Sequence, residues 1–121
     1  MPIKTVLIVD DSPTERHILS QLLLAGGYEV STAESGDEGI ARAKQIKPDL
    51  ILMDVVMPGT NGFQATRALA RDEATKHIPV IICTTKLQET DKVWGLRQGA
   101  RDYVTKPVDG PALLAKIAAL G

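Results

Sequence analysis

The stretch Asp49-Leu50-Ile51-Leu52-Met53-Asp54-Val55-Val56-Met57-Pro58-Gly59 decides the fold. Four apolar residues, Leu50 to Met53, end in a carboxylate, and a proline-glycine turn follows closely. A short apolar run bounded by turn residues fits an interior strand of a parallel sheet, covered on both faces. Such a strand delivers Asp54 to the sheet edge.

The flanking segments repeat the pattern. Lys4 to Val9 reads as a first strand ending in Asp10-Asp11, and Ser12-Pro13-Thr14-Glu15 as a capping box with proline at the first helical position. Ile18, Leu19, Leu22 and Leu23 recur at helical spacing and predict that helix's buried face, and Gly26-Gly27 stops it. Tyr28 to Thr32 alternates as a strand does. Ser35-Gly36-Asp37-Glu38 opens a helix through Ile46, which Lys47-Pro48 ends. After the central strand, Met57 to Gly62 is a loop. Phe63 to Arg71 then makes a third helix, with Phe63, Thr66 and Ala70 on one face and Ala65 and Leu69 beside it. Pro79 to Cys83 is a fourth strand and Glu89 to Gln98 a fourth helix, weakened by about 1 kcal/mol through its interior Gly95. Asp102 to Thr105 is the last strand. Asp109-Gly110-Pro111 starts a final helix whose Leu113, Leu114, Ile117 and Leu120 face inward.

Five strand-helix units in succession predict an α/β fold, a five-stranded parallel sheet with five helices on both faces. The length of 121 residues fits one domain. Right-handed crossovers then gather every strand's C-terminal end at one edge, where open α/β sheets place their sites. Lys and Arg number 14 against 15 Asp and Glu, which gives no general electrostatic reason to bind DNA or an anionic membrane. The apolar runs fall far short of the ~20 residues that span a bilayer, and no signal peptide precedes the first of them. The lone Cys83 excludes an intramolecular disulfide and reads as a small core residue, and a cytoplasmic location is expected. His17 and His77 lack metal-ligand spacing and read as surface residues.

The strand ends bring together Asp10, Asp11, Asp54, Thr84, Thr85 and Lys106-Pro107, with Tyr103 just upstream. One acid at a helix start is explained by the helix dipole. Three in one cleft repel, each close pair by roughly 4 kcal/mol at an effective dielectric of 20 and ~4 Å, so the cluster needs a cation. An oxygen-only ligand set with room for water suits magnesium better than zinc. Lys106 reads as a compensating cation able to hold a phosphoryl oxygen, and Thr84 as a site hydroxyl. A carboxylate facing a metal ion and an ammonium group can act as a nucleophile toward phosphorus, forming an acyl phosphate.

Val6-Leu7-Ile8-Val9-Asp10-Asp11-Ser12, Leu52 to Gly59, Thr84 and Lys106-Pro107 appear in the order of the motifs of the response regulator receiver domains, and the sequence resembles that family over essentially its whole length. The resemblance implies a flavodoxin-like (CheY-like) fold with strand order 2-1-3-4-5, which spacing alone does not give. It implies Asp54 as phosphoacceptor, and Asp10 and Asp11 as magnesium ligands with Asp54 and the Val56 carbonyl. Thr84 and Lys106 would contact the phosphoryl oxygens, Thr84 and Tyr103 would form the switch, and the bond before Pro107 would be cis. Val56 and Lys86 stand where the family tunes loss of the phosphoryl group, and Thr85 where it often has a smaller residue. The expected partners are a CheA-like histidine kinase as donor and an output protein on the face of helix 4, strand 5 and helix 5. The only catalysis expected is the protein's own phosphorylation and dephosphorylation.

Met57 to Arg67, Gln88 to Gly95 and Gln98 to Tyr103 further resemble stand-alone regulators of bacterial twitching motility, which implies motility control as effector or as phosphate sink. An aspartyl-phosphate phosphatase is disfavoured because Asp54-Val55-Val56 lacks a second acid. A flavin-binding module is disfavoured because Asp10-Asp11 would repel the cofactor's phosphate.

Overall fold

The computed structural model describes residues 3–55, 57, 59–84, 93 and 96–120, with the Thr84 side chain outside that description. Five strands, β1 (Thr5–Val9), β2 (Glu29–Ala33), β3 (Leu50–Met53), β4 (Val80–Thr84) and β5 (Asp102–Thr105), form one sheet in the order β2-β1-β3-β4-β5. All four pairings are parallel. Four helices complete the described structure: α1 (Pro13–Ala25), α2 (Gly36–Ile46), α3 (Gly62–Arg71) and α4 (Gly110–Leu120). The helix expected from Glu89 to Gln98 lies mainly outside the described residues, together with Trp94, although Val93, Leu96 and Arg97 are helical.

Because side chains alternate across a strand, the sheet divides the core in two. Leu7, Val9, Ile51, Met53, Val80 and Ile82 point to the face covered by Ala43 of α2 and by Ala65 and Leu69 of α3. Val6, Ile8, Leu50, Leu52, Ile81 and Cys83 point to the other, against Leu19 and Leu23 of α1 and Leu113 and Ile117 of α4. The β3 run is buried on both faces, as its unbroken apolar character requires. Cys83 is a core residue as expected, and burial pushes its thiol up to about 12.

The helix stripes differ from expectation in detail. Ile18 is 50% exposed, because the buried face of α1 is a narrow stripe through Leu19 and Leu23 rather than the broad one the spacing predicts. Ala70 also faces solvent, while Ala65, Thr66 and Leu69 carry the contact of α3. The cap on α3 is complete. The Asn61 side chain accepts from the Gln64 amide at 2.9 Å, and the Asn61 amide donates to the Gln64 side chain at 3.0 Å. At the opposite end of the sheet, the Asp49 carboxylate accepts from the amides of Lys4 and Thr5 at 2.9 and 3.1 Å, which holds its pKa below the usual range.

Candidate functional site

In the parallel register Val9 stands beside Met53, so the next residues of β1 and β3 leave the sheet side by side. The ladder continues into them: the Asp10 amide donates to the Ala33 carbonyl at 3.1 Å and the Asp54 amide to the Val9 carbonyl at 2.9 Å. This edge lies between β1 and β3, where the strand order reverses, the usual ligand position in such sheets.

Asp10 and Asp54 are buried there, at 1% and 7% exposure, and Asp11 is exposed. Each supplies a carboxylate oxygen to a group whose members lie within 4.8 Å of one another. Lys106 arrives from the end of β5. Its Nζ lies 2.5 Å from Asp10 Oδ2, 3.6 Å from Asp54 Oδ1 and 3.9 Å from Glu15 Oε2. The other Asp10 oxygen accepts from the Ser12 amide at 2.9 Å, and Arg16 Nη1 donates to the Asp10 carbonyl at 2.7 Å. Glu15 and Arg16 were not anticipated as site neighbours; their signal is a place in the first turn of the helix that the acidic pair introduces.

Burial raises the Asp54 pKa to about 6, and repulsion from Asp10 adds to that rise. Lys106 and the Val55 amide pull the other way without cancelling it. For Lys106, burial alone would lower the pKa, but the hydrogen bond to Asp10 and the charges of Asp54 and Asp10 prevail and raise it. The expected compensating cation is therefore in place. The donor set fits a hard divalent cation: three carboxylates, oxygen atoms only, at one open edge.

Gly62 holds the loop against the site. A Cβ at this position would lie 2.0 Å from the Asp54 carbonyl oxygen and 2.8 Å from the Val55 Cα, atoms of the backbone that cannot rotate away. Gly62→Ala is expected to lower stability by about 2 kcal/mol, despite alanine's better helix propensity, and to shift the Asp54 amide resonance. Urea unfolding and an amide correlation spectrum check this, and unchanged stability would contradict it.

The Lys106-Pro107 bond is cis, as the resemblance implied. Tyr103 is half-buried and packs against the core cluster that contains Met53 and Ile82. Lys116 of α4 donates to Asp102 at 3.0 Å and lies 5.9 Å from the Tyr103 ring centre. Tyr103, Pro107, Ala112 and Lys116 border a cavity of about 280 Å³ between β5 and α4. Val56, Thr85 and Lys86, with the Thr84 hydroxyl, lie outside the described residues.

The sequence profile of the response regulator receiver domain matches residues 6–118. The chain belongs to the response regulator receiver family. This receiver domain is 63% identical over 115 residues to protein PilH of Pseudomonas aeruginosa, covering 95% of each chain. It is 44% identical over 117 residues to the phosphate regulon transcriptional regulatory protein PhoB of the same species, of which it spans 51%. The structure of the Vibrio cholerae chemotaxis protein CheY4 superposes on the receiver domain with a TM-score of 0.92 at 34% identity, covering 98% of this chain and 99% of that one. The CheY-like fold and the strand order expected from the motifs are those observed. Among the described residues, no helix of the receiver domain is long and apolar enough to cross a membrane.

Proposed function

We propose that this receiver domain accepts a phosphoryl group on Asp54 from the phosphohistidine of a CheA-like histidine kinase, in a magnesium-dependent reaction in the cytoplasm. The observation that carries the reading is the Asp54 carboxylate, buried beside Asp10 with Lys106 at 3.6 Å. A carboxylate oxygen of Asp54 forms the new P–O bond as the P–N bond to the donor imidazole breaks. Lys106 turns toward a phosphoryl oxygen from its place between Asp10 and Asp54. Asp10, Asp11 and Asp54, with the Val56 carbonyl, would hold the magnesium ion, which when bound offsets charge on the transferring oxygens. The chain catalyses no reaction beyond gaining and losing this group.

Phosphorylation takes the side chain at position 54 from one negative charge toward two and gives Lys106 a partner that competes with Asp10. Thr84 and Tyr103 relay that change to the face made by the helix expected from Glu89 to Gln98, β5 and α4, where an output protein binds. The resemblance to twitching-motility regulators, together with the identity to PilH, supports a role in type IV pilus or chemotaxis-like motility control.

The test is phosphotransfer from a phosphorylated kinase with and without magnesium, comparing wild type with Asp54→Asn. Labelling is expected only for wild type with magnesium, and equal labelling of both proteins would overturn the assignment. Val56, an apolar residue, cannot orient an attacking water. Val56→Asn is expected to speed loss of the phosphoryl group roughly tenfold, read from decay of the labelled protein. An unchanged lifetime would remove Val56 from the rate-setting role.

A further inference from the structure

A groove runs along α3, from Asn61 and Phe63 beside the site loop to the C-terminal end of the helix. One end, about 360 Å³, is lined by Arg67, Ala70, Arg71, Arg97, Gln98 and Gly99. A second depression of about 320 Å³ continues it through Arg67 and Gln98 to Phe63. Three guanidinium groups thus border one recess in a chain whose formal net charge is −1. Among the described residues none of the three has an ion-pair partner, because the acids next in sequence are engaged elsewhere. Asp72 holds Lys44 at 2.9 Å, Glu73 holds Lys76 at 2.8 Å and Asp102 holds Lys116 at 3.0 Å. Gly99 has φ +112°, and a Cβ there would lie 2.7 Å from that of Ala70, so small residues leave the arginines as the walls.

We propose that this groove binds an acidic, partly apolar peptide segment of a partner protein. Arginine presents a planar fork of donors that matches carboxylates, and three forks in one recess offer a complementary set. Shape favours a peptide over a small anion. From Asn61 to Arg71 the helix face is about 15 Å long, which an extended segment of about five residues spans. Phosphate sites commonly draw on helix N-termini, whereas the arginine-rich end of this groove lies at the C-terminal end of α3. Phe63, half-buried at the other end, provides an apolar seat.

The test uses fluorescence anisotropy of a labelled peptide of glutamates interrupted by leucines, with a control in which glutamine replaces every glutamate. The glutamate peptide is expected to bind in a salt-sensitive way and the control not to bind. Affinity should fall roughly tenfold or more in the Arg71→Glu, Arg97→Glu double variant. It should fall less when lysine replaces the same two residues, since charge is kept and the fork is lost. In wild type, the amide resonances of Ala70, Gln98 and Gly99 should move on titration, a readout independent of whether the variants fold. Equal binding of both peptides, unmoved resonances, or displacement of the peptide by low concentrations of tripolyphosphate or duplex DNA would overturn the proposal.

Discussion

Lys106→Ala is expected to destabilise the protein by about 3–5 kcal/mol near neutral pH, the range found when one partner of a buried ion pair is removed. The Lys106 and Asp10 side chains are 6% and 2% exposed, so the pair is screened by little solvent. Removing it leaves Asp10 and Asp54 facing each other without their counter-charge. The pH dependence follows from the shifts. A lysine whose folded pKa is raised contributes fully below its ordinary value and loses that contribution as pH climbs through the folded one, so wild type keeps the benefit across the neutral range. In the variant Asp54 loses the lysine that holds its pKa down, so it takes up a proton above the wild-type value of about 6; the deficit should shrink as pH falls toward that value, and also on adding magnesium. Urea unfolding at pH 5 and 7.5 measures both. Lys106→Met, which keeps most of the aliphatic stem, separates lost charge from lost packing. A loss under about 1 kcal/mol at pH 7.5 would mean that the ion pair contributes little.

Asp54→Asn is expected to make the protein more stable while removing its phosphoacceptor. The Asp54 pKa rises from 3.8 to about 6 on folding, so the folded state takes up a proton and pays for the ionised form above that range. The sign is opposite to that of a salt-bridged carboxylate. Stability from this group is greatest below pH 3.8 and falls as pH rises through 6, by about 3 kcal/mol at most for a shift of this size. Asparagine keeps the shape without the charge. The gain over wild type should approach that figure at pH 7.5 and vanish near pH 4, in unfolding experiments at the two values. A gain independent of pH would point to a cause other than ionisation of Asp54.

The sequence revealed most where burial is two-sided. β3 could be read because four consecutive apolar residues leave few other placements, and Asp10 and Asp54 could be read because each follows such a run, whereas Lys106 follows the mixed strand Asp102–Thr105. Strand order was different: it depends on which edges pair across long stretches of chain, and local periodicity carries no trace of that. Ile18 and Ala70 show a second limit, since helical spacing marks an apolar stripe but not how wide a stripe the sheet will cover. The cap at Asn61 was present in the sequence as Asn61-Gly62-Phe63-Gln64, yet the surrounding turn formers concealed it in an apparent loop. The arginine groove had no local signal, because Arg97 joins Arg67 and Arg71 only after the chain has passed through β4.

The bond from Lys106 to Asp10 links residues 96 positions apart, so its order of formation is constrained as well as its geometry. Loop-closure entropy for such a contact is met only once the intervening strands are in register. During synthesis from the N-terminus, β1 and β3 can pair while β5 has yet to be made. A growing chain then holds Asp10 and Asp54 side by side with no ammonium group between them. The final strand therefore brings the charge that makes the acidic edge tolerable, and a nascent chain stopped short of Lys106 would carry its future phosphorylation site as a point of internal repulsion.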